Sequence, residues 1–65
     1  MNAEKQQHRL TVGILTRSAM NILADVSDQG PELHAALEIL NSAMEVIKEG
    51  LTAENQERLR RQIKV

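Results

Sequence analysis

Apolar residues recur along the chain at intervals of three and four, the spacing that places them on one side of an α-helix. In the first part of the chain this spacing is carried by Val12, Leu15, Ala19, Ile22 and Val26. No segment shows the alternation of apolar and polar residues that is typical of a half-buried strand. The pattern predicts an all-α fold of three helices, at about 3–26, 31–49 and 53–63, within a single small domain spanning 1–65.

Three residues predict where these helices begin and end. Pro31, the only proline, suits the first position of a helix, where its missing N–H would have no partner in any case. Gly50 is expected to take the left-handed conformation that closes a helix, and Thr52 is expected to cap the third helix. Because such short connections leave successive helices antiparallel or sharply angled, the chain should form an antiparallel helical hairpin followed by a short C-terminal helix.

The first helix carries apolar residues on two sides. The stripe from Val12 to Val26 has the width of a face that packs on a core, so we expect it to face the second helix. Leu10 and Ile14 lie off this stripe. They either fill a corner of the same core, lie singly on the surface, or contact another protein; we predict the last.

The second helix carries two apolar seams side by side. The first consists of Leu33, Leu37, Leu40, Met44, Ile47 and Leu51, and the second of Ala36, Ile39, Ala43, Val46 and Gly50. Together with Ala35 they span an arc of about 200°, more than one antiparallel neighbour covers. We therefore predict that the second seam is a dimer interface with the same helix of a second chain. The alternative is a self-contained three-helix monomer.

Composition strengthens the expectation of a homodimeric bundle. A chain of 65 residues buries only about 60% of the surface that it exposes when unfolded. The chain contains no cysteine for a disulfide and no aromatic residue for a large core contact. Self-association is the remaining way to bury more apolar surface.

Charge and hydropathy narrow the classes of function. The net charge of −1 argues against a protein that coats nucleic acid electrostatically. No apolar run approaches the length of a membrane span, and the first nine residues lack the apolar stretch of a signal peptide. We expect a cytoplasmic protein that does not enter a membrane.

The sequence carries no recognisable catalytic motif. It has no glycine-rich phosphate loop, nucleophile elbow or Cys-x-x-Cys pair, and the expectation is a protein that is not an enzyme and that uses no cofactor. His34 and Glu38 lie one helical turn apart and form at most a weak metal pair. Two solvated side chains are the simpler interpretation, and no metal site is predicted.

The third helix places its acidic residues early and its basic residues late. Its basic residues are Arg58, Arg60, Arg61 and Lys64. This order suits the helix dipole and pairing one turn apart, which describes a solvated terminal helix. Contact with an acidic protein surface and contact with nucleic acid are the two functional alternatives. If a partner protein is bound, we predict apolar contacts from four residues and orienting contacts from three basic ones: Leu10, Ile14, Ile39 and Val46, with Arg58, Arg61 and Lys64.

These features favour a small, non-enzymatic protein–protein interaction module. A wide apolar arc with a polar rim is what helix-in-groove binding requires, which favours an adaptor, inhibitor or anti-activator of a larger protein. In size, helical hairpin and expected dimerisation the chain resembles small plasmid- and phage-encoded regulatory proteins in architecture only, and no motif assigns it to a family. The alternative is a DNA- or RNA-binding transcriptional regulator that uses the basic third helix and its dimer symmetry. Against that alternative, no aromatic residue is available to stack on bases.

Overall fold

A computed structural model describes residues 3–62 and shows an all-α fold, as predicted. The elements in chain order are helix α1, Ala3–Val26; a 3-10 turn, Ser27–Gln29; helix α2, Pro31–Glu49; and helix α3, Ala53–Gln62. The predicted end of the third helix at residue 63 lies outside the described residues. Within the described part of the chain, no helix is long and apolar enough to cross a membrane.

Helices α1 and α2 form the predicted antiparallel hairpin. The start of α1 lies beside the end of α2, where the Gln6 Nε2 donates a hydrogen bond to the Gly50 carbonyl oxygen at 2.8 Å. The other end of the hairpin is closed by the 3-10 turn, which packs on both helices. Helix α3 folds back against α1.

The two turns are made by different means. Pro31 begins α2 as predicted, and the Gly30 carbonyl accepts the first backbone hydrogen bonds of that helix. Thr52 caps α3 as predicted, because its Oγ1 accepts a hydrogen bond from the Asn55 N–H at 3.2 Å. The prediction for Gly50 is wrong: its backbone is right-handed, with φ −90° and ψ −1°. The guanidinium of Arg9 lies where a Cβ of residue 50 would be.

The core is small and lies where all three helices meet. It consists of the buried side chains Leu10, Met44, Leu51 and Leu59, with Ile14 and Met20 packed against it. The first seam of α2 therefore faces inwards, since Met44 and Leu51 belong to it. Leu10, by contrast, is a core residue, so the prediction that it contacts another protein is wrong. Ile14 is half-buried beside it, and a partner contact from Ile14 stays a prediction.

The face of α1 that was expected to pack on the core points away from it. Val12, Leu15 and Ile22 are 50% to 70% exposed. Gly13 explains the choice of face, because an added Cβ would lie 3.3 Å from the Ile47 Cγ2 and from the Leu59 Cδ2. Both α2 and α3 thus approach α1 closely over a residue without a side chain. Close packing at Gly13 fixes the inward side, and the longer apolar stripe is left outside.

A buried glutamine joins the start of α1 to the turn between α2 and α3. Besides its bond to Gly50, the Gln6 side chain accepts hydrogen bonds through Oε1 from the Thr52 N–H at 3.1 Å and from the Asn55 Nδ2 at 2.9 Å. Arg9 adds two bonds, from its Nη1 to the carbonyl oxygens of Val46 at 3.3 Å and Ile47 at 3.2 Å. These contacts satisfy carbonyl groups at the end of α2.

Candidate interaction surfaces

Helix α1 presents an exposed apolar surface without charge. The α1 face consists of Val12, Leu15, Ala19 and Ile22, all exposed. Ten residues separate its ends, a length of about 15 Å along the helix. Between residues 10 and 24 the only charged residue is Arg17, which is half-buried. An apolar patch depleted of charge has the composition found at the centre of protein–protein interfaces.

Helix α2 presents a second apolar surface. The α2 face consists of Ile39, Ala43 and Val46, which are exposed members of the predicted dimer seam. Ala36 is half-buried, and the space over Gly50 is filled by Arg9. The Arg9 side chain thus covers Gly50 here, and the place of Gly50 in a dimer interface stays a prediction.

The chain exposes more surface than a compact molecule of its size. Its accessible area is 4818 Å², whereas about 4,200 Å² is expected for a compact chain of this mass. The shape accounts for the difference, since the principal extents are 41 × 21 × 15 Å.

The basic residues predicted to orient a partner are paired within their own helix. The Arg58 Nη2 lies 3.8 Å from the Glu54 Oε2, and the Arg61 Nε lies 3.5 Å from the Glu57 Oε2. Both arginines are exposed, while Lys64 lies outside the described residues. Leu10 belongs to the core and Ile14 packs against it, so the predicted partner contacts do not form one surface.

A cleft of about 490 Å³ lies beside the core, and the sequence did not point to it. It is lined by Arg17 of α1, Lys48 of α2, and Ala53, Gln56, Glu57, Leu59 and Arg60 of α3. The cleft brings together three basic side chains and one acidic one from three helices. Their positions are far apart in the sequence, and no periodic pattern marks them.

The pair formed by His34 and Glu38 on α2 is an ordinary surface contact. The His34 Nε2 lies 3.2 Å from the Glu38 Oε2, and both side chains are largely exposed. Within residues 3–62 no group of three histidine, cysteine, aspartate or glutamate side chains is arranged to hold a metal ion.

Comparisons with protein-family models, with curated proteins and with solved structures found no match to this chain.

Proposed function

We propose that the chain is a small, non-enzymatic protein–protein interaction module that acts as a helical dimer on a larger protein, as an adaptor, inhibitor or anti-activator. The observation that supports this proposal most strongly is the uncharged apolar α1 face. Burying a side chain such as leucine or isoleucine contributes about 1.5–3 kcal/mol, and a free chain forgoes much of that at three positions of this face. The α2 face adds two more such positions.

We assign self-association to the α1 face. An uncharged face meets its own copy without repulsion between like charges. Antiparallel pairing centred near residue 17 would also place the large Leu15 opposite the small Ala19 of the second copy, and Val12 opposite Ile22. Complementary sizes of this kind allow two helices to pack closely.

The α2 face is better suited to a different protein than to a second copy. Helix α2 carries four glutamates and one lysine, and Glu32 and Glu49 are both exposed. Pairing two copies of α2 would bring these acidic residues together, an arrangement that disfavours association. The chemistry of the α2 face fits an apolar groove with a basic rim on a larger protein.

The nucleic-acid alternative has less support. The Arg58 and Arg61 side chains are paired with acids of the same helix, which leaves little unpaired charge for phosphates. Salt-dependent retention on duplex DNA would test this alternative directly, because phosphate contacts make affinity fall steeply with salt.

Sedimentation velocity on matched variants tests the proposal. We expect the wild-type chain to sediment as a dimer at micromolar concentration, Leu15→Glu to sediment as a monomer, and Ile39→Glu to remain a dimer. Both variants add one negative charge at an exposed apolar position, so a general effect of charge would change them alike. A wild-type chain that is monomeric at every concentration would refute the dimer.

Capture of a partner tests the second half of the proposal. The tagged wild-type chain and the tagged Ile39→Glu variant would be loaded equally on a resin and exposed to host lysate. The proteins that each retains would be identified by mass spectrometry. We expect the wild-type chain to retain a protein that the Ile39→Glu variant does not retain. Equal retention by both would refute the assignment of partner binding to the α2 face.

A further inference from the structure

Arg17 is in an unusual position for an arginine. It lies in the middle of α1, is half-buried, and its Nε is shielded from solvent without a hydrogen-bond partner. Among residues 3–62, no carboxylate forms an ion pair with it, whereas Arg58, Arg60 and Arg61 each have a glutamate. Arginine stays charged at all relevant pH values. Since buried polar groups normally have a hydrogen-bond partner, the Arg17 Nε–H is a donor left free for a bound acceptor.

The surroundings of Arg17 form a cleft in which an acceptor could bind to it. Arg17 lines the cleft together with Lys48 and Arg60, against the single acid Glu57. Glu57 is already engaged by Arg60 and Arg61, so it does not neutralise Arg17. The volume of about 490 Å³ falls within the usual range for small-molecule sites.

The wall of the cleft is held by hydrogen bonds. The Gln56 Nε2 donates to the carbonyl oxygens of Lys48 at 2.9 Å and Leu51 at 3.2 Å. These bonds fasten α3 to the end of α2 on the side where Lys48 lines the cleft. Leu59 supplies an apolar wall, which reduces the screening of charges by water.

We propose that this cleft binds a small oxyanion, a molecule bearing a phosphate or carboxylate group, with Arg17 as its principal contact. A guanidinium presents parallel N–H donors that match two oxygens of a phosphate or carboxylate. Lys48 and Arg60 also line the cleft, but each forms an ion pair with a glutamate of its own helix, Glu45 and Glu57. Arg17 therefore carries the unpaired positive charge of the cleft. This site is separate from the α1 face, because Arg17 lies on the inward side of α1 while Val12, Leu15 and Ile22 lie on the outer side.

NMR titration tests the proposal. Uniformly ¹⁵N-labelled chain would be titrated with inorganic phosphate, with succinate, and with chloride at matched ionic strength, while the Arg17 Nε–H resonance is followed. We expect saturable shifts at Arg17 and at the cleft backbone with phosphate or succinate, and none with chloride. The stronger of the two responses identifies the oxyanion. Absence of a saturable shift with both probes would overturn the proposal.

Variants of matched charge make the test specific. Arg17→Gln is expected to weaken binding at least about tenfold, whereas Arg58→Gln, which removes the same charge outside the cleft, should change it less than about twofold. Equal weakening by both would reveal general electrostatic attraction and overturn the site. If Arg17→Gln does not fold, Lys48→Gln replaces it, with weakening of about threefold or more expected and unchanged binding as the contradicting result.

Discussion

Replacing Gln6 should destabilise the fold far more than its polar character suggests. Its side chain is only 7% exposed and makes hydrogen bonds to the Gly50 carbonyl, the Thr52 N–H and the Asn55 side chain. A hydrogen bond of this kind contributes about 1 kcal/mol net, and a buried group left without a partner costs more. Because Thr52 is exposed, water recovers part of the loss. The Gln6→Ala variant should therefore lose about 2–3 kcal/mol of stability.

That loss is large for a chain of this size. At roughly 0.05–0.15 kcal/mol per residue, the whole chain should have a free energy of unfolding of about 3–10 kcal/mol. The expected change in the melting temperature is a decrease of about 10–20 °C.

Urea unfolding followed by far-UV circular dichroism measures the effect. The control is Gln7→Ala, which removes the same side chain from an exposed neighbouring position of α1 and should change stability by less than about 0.5 kcal/mol. Both variants should be compared at one protein concentration, since self-association adds to apparent stability. Similar stability in the two variants would refute the structural role of Gln6.

Substitutions at two further positions test the packing and the capping. Gly13→Leu should destabilise the chain by about 1–3 kcal/mol, because Ile47 and Leu59 already lie at contact distance from a Cβ at this position. Urea unfolding measures the loss. A variant as stable as the wild type would show that α2 and α3 do not approach α1 closely at Gly13. Thr52→Ala should cost about 1 kcal/mol through loss of its bond to the Asn55 N–H. Thr52→Ser, which keeps the hydroxyl, should remain near the wild type in thermal melts, and an equal loss in both variants would contradict the cap.

Local signals made the helix boundaries predictable. Pro31 and Thr52 act within one turn of their own positions, and the chain folds there as the sequence indicates. The inward seam of α2 was also predictable, because its members recur over the whole helix and include Met44, which is fully buried.

The inward side of α1 was not predictable from periodicity. The stripe from Val12 to Ile22 is longer and more regular than the set of Leu10 and Ile14, yet it lies outside. What decides the side is how closely α2 and α3 approach Gly13, and that depends on residues more than thirty positions away. The partners of Gln6 are 44 to 49 positions away, so its role is likewise invisible in the sequence.

The candidate sites also divide into a part that local periodicity predicts and a part that depends on residues distant in the sequence. Ile39 and Val46 of the predicted dimer seam are exposed and open to contact, because helical periodicity is enough to place them beside the inward seam. The surroundings of Arg17 depend on side chains from three helices. Arg17 interrupts an otherwise uncharged stretch, which was a signal in the sequence, but its lack of a partner is a property of the folded chain.

Intermolecular contact at the α1 face is the most direct test of the central claim, that this face is covered by a second copy of the chain. An equimolar mixture of isotope-labelled and unlabelled chains allows an isotope-filtered NOE experiment that detects only contacts between two molecules. If a second copy covers the α1 face, intermolecular NOEs will involve the methyl groups of Val12, Leu15 and Ile22. Their absence at a concentration where the chain is dimeric, with NOEs from Ile39 and Val46 instead, would contradict it.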